Sequence, residues 1–109
     1  MKVNDILTLP DCTVLVNGET DREISKIFCC DMLSVAMGKA PCDSVWVTVM
    51  GNKNTLAVAT LTDVACIVFA EGVTPDKDTV SQAEKEGITL LASELPVFDI
   101  ALRIHQAGL

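Results

Sequence analysis

Aromatic residues are scarce in this chain of 109 residues, with three phenylalanines, one tryptophan and no tyrosine, and eight basic residues face fifteen acidic ones. So few aromatics offer no run of platforms on which bases stack. The net charge of −7 repels a nucleic-acid backbone and an anionic membrane surface alike. Neither is an expected partner. Long apolar runs are missing too, because Asp63, Glu71 and Glu94 interrupt the longest stretches well short of the ~18 residues that a membrane span needs. The opening Met1-Lys2-Val3-Asn4-Asp5 lacks the basic and then apolar regions of a signal peptide. The five cysteines, at 12, 29, 30, 42 and 66, are an odd number without a Cys-x-x-Cys pair, which argues against a secreted disulfide framework. A cytoplasmic protein in a reducing compartment is expected.

Catalytic signatures are equally sparse. The Gly-x-x-x-x-Gly-Lys-Ser/Thr spacing of a P-loop does not occur. His105 is the only histidine, and it falls in the last turn of a terminal helix, where an imidazole complements the helix dipole and is usually structural. Cys29, Cys30 and Cys42 invite a metal or iron–sulfur reading. Adjacent cysteines on an extended segment point to opposite faces, however, and the familiar ligand spacings are missing. Cys66 lies within an apolar run and reads as core. Asp76, Asp78, Glu84 and Glu86 read as the wet face of one helix, not as an acid/base pair. A chain that carries a complete enzyme, a metal or a cofactor of its own is not expected.

What is abundant is apolar character: half of the residues are apolar and the mean hydropathy is +0.41. The length suits one domain spanning residues 1–109, with too little core for a second. So high a hydropathy in so small a chain predicts an apolar face covered by a second copy or by a partner.

The second half is the more readable. Residues 45–50 form a β-rich run that Gly51-Asn52-Lys53-Asn54 breaks, and residues 55–64 read as a helix apolar nearly all round. Residues 65–70 have the continuous apolar character of a central parallel strand. Thr74 reads as the N-cap and Pro75 as the first residue of a helix to about Glu86, with Gly87 as its left-handed cap. Residues 88–92 form the next strand. Ser93 caps a last helix, 95–107, whose Val97, Ile100, Ala101 and Ile104 share a face. Upstream, residues 3–9 suggest a short helix, and residues 13–16 and 23–29 suggest strands. Asp31 is placed to cap a helix that Gly38 stops. Alternating strands and helices predict an α/β domain in two or three layers, with a mainly parallel sheet and helices packed on it.

In such sheets ligands bind beyond the carboxyl ends of the strands. Three segments qualify: Gly51-Asn52-Lys53-Asn54-Thr55, then Glu71-Gly72-Val73-Thr74, then Ser93-Glu94. The first is the most suggestive, since a glycine turn into a helix turns backbone N–H groups towards an anion, and Lys53 and Thr55 add a charge and a hydroxyl. The same residues also make an ordinary turn and helix cap. Glu71-Gly72 is the second choice, with a solvated acid and a glycine turn as its plainer reading.

Residues 31–37 (Asp-Met-Leu-Ser-Val-Ala-Met), 45–49 followed by 54–59, 65–68, Glu71-Gly72 and the Gly87-Ile88-Thr89-Leu90-Leu91 strand together resemble the DRTGG domain family, particularly its short stand-alone members. Such domains recur as regulatory modules of phosphotransacetylases and CBS-domain proteins, are similar to the amino-terminal domain of HPr kinases, and occur singly, some near iron hydrogenase genes. The resemblance implies a dimeric α/β domain without kinase activity. Gly51-Asn52-Lys53 and Phe69-Ala70-Glu71-Gly72 stand roughly where the namesake residues would fall, so neither Asp-Arg nor Thr-Gly-Gly is retained. Only Gly51, Lys53 and Gly72 are carried over from the family. The expected function is non-catalytic sensing of a small anionic metabolite or nucleotide at Gly51–Thr55 with Glu71 and Gly72. The alternative is a module that docks on a metabolic enzyme such as an iron hydrogenase or its maturation machinery.

Overall fold

All four residues of the run Val45–Thr48 are buried, so the strand they form (β3) needs cover on both faces. The computed structural model, which describes residues 1–109, supplies that cover with two helical layers. The elements are α1 (Val3–Leu7), β1 (Thr13–Val16), β2 (Ile27–Cys29), α2 (Leu33–Lys39), β3, α3 (Lys53–Thr62), β4 (Cys66–Phe69), α4 (Lys77–Glu86), β5 (Thr89–Ala92) and α5 (Val97–Gln106). The sheet order is β1-β5-β4-β3-β2, parallel from β2 to β5, with β1 antiparallel along β5. The α/β sandwich read from the sequence is therefore a three-layer one.

Alternation along the strands sorts the core into two halves. Val45, Val47, Cys66, Val68 and Leu91 pack with Val3 and Ile6 of α1 and with Ile100 and Ile104 of α5. Trp46, Ile67, Phe69 and Leu90 face the other way, onto Ala36 of α2, Leu56, Val58 and Ala59 of α3, and Ala83 of α4. No helix is long and apolar enough to cross a membrane.

Several local expectations are corrected. The α4 N-cap is Asp76, not Thr74; its carboxylate accepts from the amide and the hydroxyl of Thr79, both at 2.7 Å. Asp31 does not cap α2, because its Oδ1 accepts from Thr48 Oγ1 at 2.9 Å and from the Val49 amide at 3.0 Å, across the sheet end. Gly38 does not stop α2, which runs through it to Lys39. Ser93 does not cap α5, which begins after Pro96; its Oγ accepts from the Leu95 amide and shapes the turn before the helix. Only Ile27–Cys29 of the expected strand at residues 23–29 is extended in the sheet, Glu23 making an isolated bridge to Lys2. Gly87 does cap α4, with φ +70°.

Titration bounds the stability of this fold from both sides. Hydrogen bonds from Arg22 to Asp43, from Thr79 to Asp76 and from Lys2 to Asp21 hold these carboxylates below their ordinary range. A carboxylate lowered in the folded state contributes stability that is present above its unfolded value, about 3.9, and lost as the pH falls through the folded value. Burial pushes the Cys12 thiol up to about 11 and the Cys66 thiol up to about 12. A raised thiol contributes stability that is full below about 8.5 and lost as the pH rises towards the folded values. The urea midpoint should therefore be flat between about pH 5 and 8 and fall on either side. A midpoint that stays flat from pH 8 to 10 would show these thiols ionising as freely in the folded chain as in the unfolded one.

Candidate functional site

Strands β4 and β5 are parallel neighbours whose chains leave in opposite directions. The first leads into α4 on one face of the sheet, and the second leads into α5 on the other. Divergence at the carboxyl ends of adjacent parallel strands opens a crevice, which is where ligands sit in such folds. Here it has a volume of about 300 Å³, at the small end of ligand sites. Its walls are Pro10, Asp11 and Thr13 from the connection into β1, residues 72–74 after β4, and residues 92–95 ending β5.

Backbone bonds lock the two loops together. The Glu71 amide donates to the Leu95 carbonyl and the Gly72 amide to that of Ser93, both at 2.9 Å, while the Ser93 amide donates to Phe69 O at 2.8 Å. The turn after β4 needs two consecutive left-handed residues, Glu71 at φ +61° and Gly72 at φ +73°. Glutamate in that region is strained by roughly 1 kcal/mol. A compensating bond exists: Glu71 Oε2 accepts from the Val97 amide at 3.3 Å, satisfying a donor at the start of α5 that Pro96 has no side-chain oxygen to meet.

Gly72 meets a second demand. A Cβ there would stand 2.7 Å from Glu94 Oε2, so the glycine leaves the space in which that carboxylate lies. Glu94 takes part in none of the six ion pairs. The other acid of the crevice, Asp11, is neutralised by Arg103 at 3.1 Å.

Of the residues singled out from sequence, Gly72 lines the crevice and Glu71 adjoins it. Gly51 packs against the same loop, since a Cβ on it would stand 3.2 Å from Val73 Cγ1 and 3.1 Å from Pro75 Cα. Asn52, Lys53, Asn54 and Thr55, which open α3 after the neighbouring strand β3, line no part of the crevice. There Asn52 Oδ1 accepts from the Asn54 amide at 3.0 Å and the Thr55 amide at 3.3 Å, so the protein itself occupies two donors expected to face an anion. Thr55 is buried and its hydroxyl donates to Met50 O at 2.6 Å. Lys53 is exposed, with Nζ 3.9 Å from Asp78. Pro10, Asp11 and Thr13 were not singled out, because only the folded chain brings the connection before β1 to the end of β5. Ser93-Glu94 had been marked only by following a strand.

Elsewhere no three His, Cys, Asp or Glu side chains converge as metal ligands. His105 Nδ1 lies 2.8 Å from Leu109 O, an end-of-helix contact. A second cavity, about 220 Å³, lies at the opposite end of the strands, before β4 and β5, where Asp63, with Asp43, holds the Arg22 guanidinium.

Fold and crevice define a three-layer α/β domain with a ligand-sized cleft at the strand ends. The chain belongs to the DRTGG domain family, whose model matches residues 5–107. Among solved structures it is similar to that of the CBS and DRTGG domains of the regulatory region of Clostridium perfringens pyrophosphatase, complexed with its activator, diadenosine tetraphosphate. The TM-score is 0.78 over 96% of this chain, at 17% identity, which makes the likeness one of fold. This chain spans 46% of that one. No curated protein sequence matches.

Proposed function

We propose that this chain is a non-catalytic regulatory domain that senses a small anionic metabolite or nucleotide at the carboxyl ends of β4 and β5. The observation that carries the reading is the crevice itself, shaped by two consecutive left-handed residues and locked by bonds between its loops. Backbone strain tends to collect at functional sites, and Glu71 is one of three left-handed non-glycine residues, with Asp43 and Asp63 at the other end of the sheet. Support also comes from the family, whose related domain in the pyrophosphatase belongs to a regulatory region complexed with a nucleotide activator. In this reading Lys53, exposed at the start of α3 beside Gly51–Thr55, is the cation that meets a phosphate emerging from the crevice. A homodimer is part of the proposal, with the exposed Met32, Val35 and Met37 around α2 as apolar surface for a second copy to cover.

The test is a thermal-shift series with mono-, di- and dinucleoside polyphosphates. A ligand at 100 times its Kd stabilises the fold by about 2.7 kcal/mol, several degrees in Tm for a domain of this size. The rise should vanish in Thr74→Trp, which fills the crevice from an exposed position, and shrink in Lys53→Ala. A dimer adds a Tm that climbs with protein concentration. If no nucleotide or phosphorylated metabolite raises the Tm, the sensing role fails. The choice then falls on docking to a metabolic enzyme, for which the exposed Phe98 and Leu102, one turn apart on α5, are the contact.

A further inference from the structure

The charges lining the crevice have the wrong sign for the phosphate end of a nucleotide. Asp11 is spent on Arg103 at 3.1 Å, and Glu71, beside the wall, is spent on the Val97 amide. Glu94 keeps a carboxylate that no cation neutralises, held over the bare Cα of Gly72. An ionised carboxylate only accepts hydrogen bonds, through two oxygens, and accepts them strongly. A group lodged against it must therefore bring donors. The other polar side chains of the walls, Thr13, Thr74 and Ser93, are neutral hydroxyls able to give or take a bond. Of the cations around the crevice, Arg103 is already taken by Asp11, and the exposed Lys53 lies outside the walls, past Gly51, where an added Cβ would meet Val73 and Pro75.

From this division we infer that the crevice reads the sugar of a nucleoside, its vicinal hydroxyls donating to Glu94, while any phosphate stays outside on the Lys53 side. The inference rests on the crevice being the ligand site. A vicinal diol offers two adjacent donors to the two oxygens of one carboxylate. An acid beyond a strand end that binds ribose hydroxyls is a known solution in parallel α/β folds. The volume of about 300 Å³ leaves room for little beyond a nucleoside. Gly72 sets the specificity indirectly, since a Cβ there would stand 2.7 Å from Glu94 Oε2 and push the carboxylate out of its present place.

Isothermal titration with AMP, adenosine, 2′,3′-dideoxyadenosine and putrescine tests this. Adenosine should bind within about threefold of AMP, and the dideoxy compound at least about tenfold more weakly, the effect of losing roughly 1.4 kcal/mol. Glu94→Gln should weaken adenosine by a similar factor, leave the dideoxy compound unchanged and keep the Tm of the free protein, because the side chain is exposed. Gly72→Ala should reproduce the same selective loss. The inference is overturned if AMP binds and adenosine does not, if the dideoxy compound binds as tightly as adenosine, or if the diamine putrescine binds more tightly than either. If none of the four binds, the reading of the crevice as a nucleotide site falls with it.

Discussion

Trp46→Ala should lower the free energy of unfolding by about 3–5 kcal/mol, a large part of the 5–15 kcal/mol typical of a domain. Trp46 is fully buried in the middle of β3, between α2 and α3, and is the largest side chain of its half of the core. Its Nε1 donates to the Cys30 carbonyl at 2.9 Å, and its ring lies 6.4 Å from that of Phe28, tilted by 52°. Truncation thus leaves a cavity, an unpaired carbonyl where β2 ends, and no aromatic neighbour for Phe28. Trp46→Phe separates these effects, because it keeps most of the volume and loses the bond, which is worth about 1 kcal/mol. Urea melts followed by far-UV circular dichroism are the measurement, since the substitution removes the only tryptophan. A loss below about 1.5 kcal/mol for the alanine variant would mean that α2 and α3 are not packed on β3 as described.

The readable part of the fold was the part governed by local rules. Val45–Thr48, Cys66–Phe69 and Thr89–Ala92 are continuous apolar runs because parallel strands are covered on both faces, and that character survives in any sequence window. Gly87 was legible as a cap because the αL residue that ends a helix is usually glycine, although α3 ends on a left-handed Asp63. The misreadings have different causes. Asp31 and Ser93 both have the chemistry of caps, but a tertiary neighbour takes Asp31, which binds Thr48 and Val49 at the end of the adjacent strand, whereas Ser93 is taken locally by the Leu95 amide in the turn before α5. Thr74 lost the cap of α4 to Asp76, two residues on, whose carboxylate meets both donors of Thr79. The placement of β1 antiparallel beside β5 depends on partners more than seventy residues apart, Thr13 with Ala92, and no local pattern encodes it.

The site divides in the same way. The rule that ligands sit beyond the carboxyl ends of parallel strands pointed to three segments, and two of them, after β4 and after β5, form one wall each of the crevice. The third, Gly51 to Thr55, was favoured for its free amides and its lysine. Its plainer reading, a turn and a helix cap, is the one the fold adopts: Asn52 caps α3 by accepting from the Asn54 and Thr55 amides. Asp11 and Arg103, ninety-two residues apart, decide the charge of the crevice together.

Gly18→Ala should be at least as damaging as the tryptophan truncation, for a reason that has nothing to do with conformational freedom. The segment after β1 passes directly over the turn between α4 and β5. There the Gly18 amide donates to Thr89 Oγ1 at 3.1 Å and the Glu19 amide to Gly87 O at 3.2 Å. A Cβ on Gly18 would stand 2.2 Å from Gly87 O, 2.6 Å from Gly87 C and 2.9 Å from Ile88 C. All three are backbone atoms, so no rotamer relieves the overlap, and the β1 edge must part from the start of β5. Overpacking usually costs about 1–3 kcal/mol, occasionally more, and a 2.2 Å approach to backbone puts this case at the upper end or beyond. Two other glycines serve as controls. Gly87→Ala has nothing within 4 Å of the new carbon but must hold φ at +70°, and should lose only about 1–2 kcal/mol. Gly38→Ala, within α2, in open space and without a positive φ, should gain about 0.5–1 kcal/mol. The predicted order of urea midpoints is Gly38→Ala above the parent chain, Gly87→Ala below it and Gly18→Ala far below both. An alanine at position 18 that is tolerated as well as one at 87 would show that β1 does not lie against the α4–β5 turn, and the wall that Thr13 gives the crevice would go with it.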